Sequence, residues 1–211
     1  MRVLLVKLSS LGDVIHNLPV VSDLARARPD IRIDWAVEAP YAEIAAMHPA
    51  IGDVLPVPLR RLKKKWHSAA AWREFLARRS AISARRYDHI LDTQGLLKSA
   101  WVARWADGPV AGYSAASARE PLASRFYDSP IDVPRDLHAV TRNRLLASRA
   151  LGYAIEDRVD YGISMKGKAP GWLPTKPYAV FLHATSRDNK MWPNDHWIEL
   201  GNRLRAIGLD T

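Results

Sequence analysis

Short apolar runs recur along this chain, each followed by a turn and then by a segment whose apolar residues have helical spacing. Val3-Leu4-Leu5-Val6 is the first. A continuous apolar run of this length is the signature of a strand buried on both faces. Strands are expected over Arg2–Leu8, Ile31–Glu38, Asp53–Val57, Asp88–Asp92 and Val110–Tyr113. Between and after them, helices are expected over Asp13–Arg28, Tyr41–Met47, Ala69–Arg85, Leu96–Trp105 and near His138–Leu151. Pro19 lies too deep for an uninterrupted first helix, so a kink or an irregular first turn is expected there. Strands separated by helices imply right-handed βαβ crossovers, hence an α/β fold with a doubly wound parallel sheet.

The rhythm lapses at DYGISMKGKAPGWLPTKP, rich in Gly, Pro and Lys, and resumes with a strand at Tyr178–His183 and a helix from about Asn194. Residues 1–160 therefore read as one doubly wound α/β domain, 161–177 as a linker, and 178–211 as the start of a second α/β domain. One strand and one helix bury too little surface to make a core, so the second domain is expected to be incomplete at Thr211.

Composition narrows the function classes. The chain has no cysteine, which removes disulfides, thiolate metal sites and a cysteine nucleophile. No run approaches the roughly 20 apolar residues that span a bilayer, and the N-terminus has no signal-peptide pattern. A cytoplasmic location is expected. The seven histidines show no metal-ligand spacing. Neither a G-x-S-x-G elbow, a Walker motif nor G-x-G-x-x-G occurs.

Of 31 basic and 22 acidic residues, ten bases and one acid, Glu74, fall between Leu59 and Tyr87, so this stretch holds the entire net charge of +9. Such a concentration points to a polyanionic partner. Trp66 and Trp72 beside it suit a membrane–water interface, so an anionic membrane surface is the expected partner. Nucleic acid is not, since no RNP, helix-turn-helix or zinc-finger signature accompanies the charge. Trp101 and Trp105, one helical turn apart, are expected in the core.

Two loops follow strands closely enough to carry chemistry. In SSLGD, Ser9 and Ser10 offer hydroxyls and Gly12 lets a ligand approach the backbone. Asp13 fits two roles, a general base or a charge complementing a helix N-terminus. In HATSRDNK, Thr185, Ser186 and Lys190 can converge on a phosphate.

VKLSSLGDVIHNLP (6–19), DTQGLLKSA (92–100), SAREPLASRFY (117–127), HAVTRNRLLASRALGY (138–153) and VFLHATSRDNKMWP (180–193) together resemble the lipopolysaccharide heptosyltransferase I family. These are bacterial inner-core glycosyltransferases of the GT-B fold. The resemblance implies two Rossmann-like domains facing each other across a cleft. It implies an N-terminal domain for Kdo-bearing lipid A and a C-terminal one for ADP-L-glycero-β-D-manno-heptose. It also implies inverting transfer without metal or cofactor, ADP-heptose being a substrate. The family's catalytic aspartate falls on Asp13, and its basic acceptor-binding residues on Arg60, Arg61, Lys64 and Arg119. Its donor-phosphate residues fall on Thr185, Ser186 and Lys190, with Ser186 in place of a usual threonine and Asn189 in place of an aspartate. A monomer on the cytoplasmic face of the inner membrane is expected. The alternatives are another nucleotide-sugar transferase of this fold and a non-catalytic membrane-binding module in which Asp13 is only a cap. A nucleotide-binding oxidoreductase is disfavoured, because the dinucleotide fingerprint is missing.

Overall fold

The computed structural model describes residues 1–164, 171–184 and 188–211. They form two compact units, Met1–Met165 and Lys166–Thr211.

The first unit is built on six parallel strands, β1 Arg2–Val6, β2 Arg32–Glu38, β3 Ile51–Val57, β4 His89–Asp92, β5 Val110–Tyr113 and β6 Ser129–Ile131, in the order β3-β2-β1-β4-β5-β6. This is the doubly wound Rossmann order, with its topological switch point between β1 and β4. The helices are α1 Leu11–Ile15, α2 Leu18–Ala27, α3 Ala42–Ala46, α4 Leu59–Lys64, α5 Ala69–Ser83, α6 Leu97–Ala103 and α7 Ala139–Leu151. The two-residue period of β1 explains why the sheet is covered on both faces. Leu4, Val6 and Leu8 pack with Phe75 and Ile82 of α5 and Val102 of α6. Val3 and Leu5 pack the other way, against Val14 of α1, Val21 and Leu24 of α2, and Ala147 and Leu151 of α7.

The structure corrects several expectations in physically instructive ways. The interruption expected in Asp13–Arg28 is present but falls at His16–Asn17, giving two helices with Pro19 in the first turn of α2, where its missing N–H is no loss. The basic run, expected only to precede a helix, opens with α4; lysine and arginine are good helix formers, and the charge masks any apolar period. The strand β6 was not expected: Ser-Pro-Ile is too short and polar to give a strand pattern, and its proline is tolerated because it lies on the sheet edge. Trp105 is buried as expected, but Trp101 is 43% exposed. Because α6 ends at Ala103, the two tryptophans do not share one helical stripe.

In the second unit, α8 Asn194–Ala206 starts where expected. The strand expected at Tyr178–His183 is absent. Tyr178 makes one parallel bridge to Asp210, and among the described residues no further ladder partner exists to hold an extended segment as a strand.

Candidate active site

The loops after β1 and β4 flank the switch point and are stitched together by one side chain. Gln94 accepts hydrogen bonds through Oε1 from the backbone N–H of Leu8 (2.6 Å) and Ser9 (3.4 Å). Gln94 is itself set by Asp92, whose buried carboxylate accepts from the N–H of Gln94 (2.8 Å) and Gly95 (3.3 Å), an Asx turn, and from the Tyr127 hydroxyl (2.9 Å). Burial pushes the Asp92 carboxyl above its ordinary range. Gly95 takes φ +68°, a left-handed conformation that turns the chain into α6. Glu120 then caps α6 by accepting from Leu97 N–H at 2.7 Å.

This framework lines a cavity of about 430 Å³, with Lys7, Ser9, Ser10 and Asp13 from the first loop and Gln94 and Lys98 from the second. Arg119, Glu120, Arg142 and Asn143 close it. Asp13 sits three residues after Ser10, the N-cap of α1. Its Oδ2 accepts from Ser10 N–H (2.8 Å) and Ser10 Oγ (3.0 Å), so the helix-capping role is real. Oδ1 has no hydrogen-bond partner among the described residues. The capping bonds therefore occupy one oxygen of the carboxylate and leave the other to face the cavity. Lys98 donates to Ser9 Oγ at 2.7 Å. A Cβ added at Gly12 would meet nothing within 4 Å, so the backbone there is open to an approaching group.

Ser9, Ser10, Asp13 and Arg119 thus share one cavity. Gly12, Arg60, Arg61 and Lys64 are not among its lining residues. Arg60 reaches the rim indirectly: its Nε lies 2.5 Å from Glu38 Oε2, while Glu38 Oε1 lies 3.6 Å from Lys98 Nζ. Ten bases against one acid left little internal pairing to expect, yet Arg61 pairs with that acid, Glu74 (2.8 Å), and Asp53 arrives from elsewhere in the fold to pair with Arg85 (2.6 Å). Lys63, Lys64, Lys65, Arg73, Arg78 and Arg79 have no carboxylate within 4.0 Å among the described residues. Thr185 and Ser186 lie outside the described residues. Lys190 is exposed at the end of a short 3₁₀ turn in the second unit.

Lys7, Gln94, Lys98, Arg142 and Asn143 escaped assignment from sequence. Their one sequence signal is that each falls within a stretch carrying the family resemblance; Lys7 also interrupts an apolar strand run between Val6 and Leu8.

Two other features do not qualify. A larger cavity of about 840 Å³ in the second unit is walled mainly by apolar side chains such as Trp172, Val180 and Ile198, unsuited to charged chemistry. Ser22, His48 and Asp160 look like a hydrolase triad, with Ser22 Oγ 2.8 Å from His48 Nε2. His48 Nδ1, however, accepts from Ala50 N–H at 3.2 Å, so Nε2 carries the proton toward the serine and cannot remove one from it.

Comparison with known proteins fits this geometry. The profile of glycosyltransferase family 9 (heptosyltransferase) matches residues 75–211. Lipopolysaccharide heptosyltransferase 1 of Pseudomonas aeruginosa is 49% identical over 99% of this chain and 59% of its own length. The Escherichia coli K12 protein of the same name is 46% identical over 99% of this chain and 66% of its own. The structure of E. coli heptosyltransferase WaaC with ADP superimposes with a TM-score of 0.90 at 44% identity, covering 99% of this chain and 66% of that one. A second WaaC structure, with ADP-2-deoxy-2-fluoro heptose, gives 0.88. The chain thus spans about 59–66% of the length of these relatives. The fold is of the GT-B type, and the chain belongs to glycosyltransferase family 9, the heptosyltransferases.

Proposed function

We propose that this chain belongs to an enzyme that moves L-glycero-D-manno-heptose from ADP-heptose to a hydroxyl of the 3-deoxy-D-manno-octulosonic acid (Kdo) on lipid A, with inversion and without metal or cofactor. The observation that carries the reading is the anchored carboxylate of Asp13, one oxygen pinned by Ser10 and the other without a partner among the described residues, lining a polar cavity at the sheet's switch point. The names of the relatives, and the ADP and fluoro-heptose donor analogue bound by WaaC, support the donor and the reaction class.

In this reading Asp13 Oδ1 takes the proton of the Kdo hydroxyl as that oxygen bonds to the anomeric carbon of heptose, and the bond from that carbon to the ADP phosphate breaks on the opposite face. An aspartate of ordinary pKa is a weak base toward an alcohol, so proton transfer must accompany attack, and the anchoring by Ser10 holds the carboxylate in place for it. Lys190, Thr185 and Ser186 supply the charge and hydroxyls that stabilise departing ADP. Incubating the full-length protein with ADP-heptose and Kdo-lipid A is expected to give a product heavier by one heptose in mass spectra. Absence of that product, with activity toward a different nucleotide sugar, would replace the substrate assignment.

The acceptor's lipid brings the enzyme to the cytoplasmic face of the inner membrane. No helix among the described residues is long and apolar enough to cross it. What suits a peripheral contact is the surface of α4 and α5: Lys63, Lys64 and Lys65, with Trp66, Trp72 and Trp101 exposed beside them. Trp101 of α6 stacks on buried Phe75 at 5.9 Å and Trp72 meets the same ring edge-on at 5.8 Å, so one core residue holds the two exposed tryptophans side by side. Basic residues near an anionic surface contribute about 1 kcal/mol each. Replacing Lys63, Lys64 and Lys65 together by Gln is expected to weaken binding to phosphatidylglycerol-containing vesicles about a hundredfold in co-sedimentation. Raised salt should weaken wild-type binding in the same assay.

A further inference from the structure

Lys7 is a buried cation with no carboxylate in contact among the described residues. Its side chain follows β1 into the cavity floor, and the residue is only 6% exposed. An ammonium has three protons to donate. One goes to Thr93 O at 2.7 Å, and a second reaches Asn143 Oδ1 only at 3.5 Å, an oxygen already taken by the Tyr113 hydroxyl at 3.0 Å. Among the described residues no carboxylate lies within 4.0 Å of Lys7 Nζ. Beside it on α7, Arg142 donates to Ser117 O at 2.6 Å and lies over the Tyr113 ring, while its buried Nε has no partner among the described residues. Buried charges are normally paired, because an unpaired one forfeits hydration without compensation. Two under-satisfied cations at the floor of a polar cavity are therefore built to receive an anion.

We propose that Lys7, seconded by Arg142, forms an anion subsite that takes the carboxylate of a sugar acid and so fixes the acceptor sugar's orientation beneath Asp13. The subsite itself rests on the buried cations, and the choice of a sugar acid rests on the acceptor reading above. Lys7 positions the sugar and takes no part in the bond changes.

The electrostatics around Lys7 make the subsite readable by pH. Burial lowers its pKa from 10.5 to about 8. Asp13 on α1 and Asp92 on β4 pull upward, and Arg142 on α7 and Arg119 push further down. Lys98, Glu120 and Tyr113 complete the ionisable lining of the cavity. A bound carboxylate favours the ammonium and must raise this pKa. Affinity is then full below about pH 8 and falls as pH rises through the free-state value, approaching tenfold per pH unit until the bound-state value is reached.

The test uses the methyl glycoside of Kdo and its uncharged methyl ester, with binding by calorimetry and Lys7 followed by carbon-13 NMR of labelled lysines, Lys7→Met assigning the signal. The acid is expected to raise the Lys7 midpoint by one pH unit or more and to bind more weakly above pH 8, while the ester does neither. Lys7→Met should weaken the acid at least tenfold at pH 7 and leave ester binding unchanged, which also shows that the variant is folded. Acid and ester binding alike, with Lys7 unmoved, would overturn the subsite and leave the acceptor reading standing. Failure of both to bind would overturn the acceptor reading and the sugar-acid ligand with it. A Lys7 midpoint moved by ADP but not by the acid would overturn the assignment to the acceptor.

Discussion

Asp13→Asn is expected to lower kcat for heptose transfer in the full-length protein by two to four orders of magnitude, the range a positioned general base contributes. The substitution isolates that role. Asparagine keeps the shape of the side chain and an oxygen that can accept from Ser10 N–H and Ser10 Oγ, now 2.8 and 3.0 Å from Asp13 Oδ2. The start of α1 therefore survives. Loss of the charge near the helix N-terminus costs about 0.3–1 kcal/mol, too little to unfold the domain. Acceptor binding should stay within a few-fold of wild type, because the cations of the cavity are untouched. Steady-state kinetics and acceptor calorimetry on the same preparation separate the possibilities. A variant turning over at near the wild-type rate would reduce Asp13 to a cap, and the search for the base would have to begin again.

The second large effect concerns folding. Asp23 on α2 and Arg144 on α7 form a bidentate pair, Nε–Oδ2 2.6 Å and the second guanidinium nitrogen to Oδ1 3.1 Å, with the two side chains 3% and 6% exposed. Arg144 also donates to the carbonyls of Glu156 (2.7 Å) and Arg158 (3.0 Å). One guanidinium thus clamps two helices and the segment after α7. Asp23→Ala leaves that cation buried with its carboxylate gone, and breaking such a pair costs about 3–5 kcal/mol. Against a total stability of about 5–15 kcal/mol, that is a large fraction. Urea unfolding of the chain should show the unfolding free energy fall by that amount, and the midpoint by that amount divided by the slope, with little change in slope. The double replacement Asp23→Leu with Arg144→Met should recover most of the loss, since well-packed apolar pairs often match buried ion pairs. A double variant as unstable as Asp23→Ala would mean that the carbonyl contacts of Arg144 carry the stability. The pair also bears on the site, because α7 presents Arg142 and Asn143 to the cavity.

Legibility followed the range of the interactions. The run Val3–Val6 announced a central strand because burial on both faces demands apolar residues without alternation. Ser129–Ile131 announced nothing, because an edge strand of three residues is held by its neighbour β5 and not by its own pattern. Asp13 was visible as a candidate because a carboxylate three residues after a serine is a local signal. That it caps α1 became visible only in the structure, where one oxygen accepts from Ser10 and the other has no partner among the described residues. Arg60, Arg61 and Lys64 looked alike in sequence. In the fold Arg60 and Arg61 have carboxylate partners and Lys64 has none among the described residues, a distinction set by where β2 and α5 carry Glu38 and Glu74.

By itself the sequence determined most of the alternation of strands and helices in the first unit, because that pattern depends on residues within a few positions of one another. Only the tertiary structure decided which polar groups meet. Lys7 faces Thr93 and Asn143, 86 and 136 positions away, because β1 lies beside β4 and α7 packs over them. Its lowered proton affinity, and with it the anion subsite, comes from burial by those distant segments, and the residues around Lys7 do not say which segments those are.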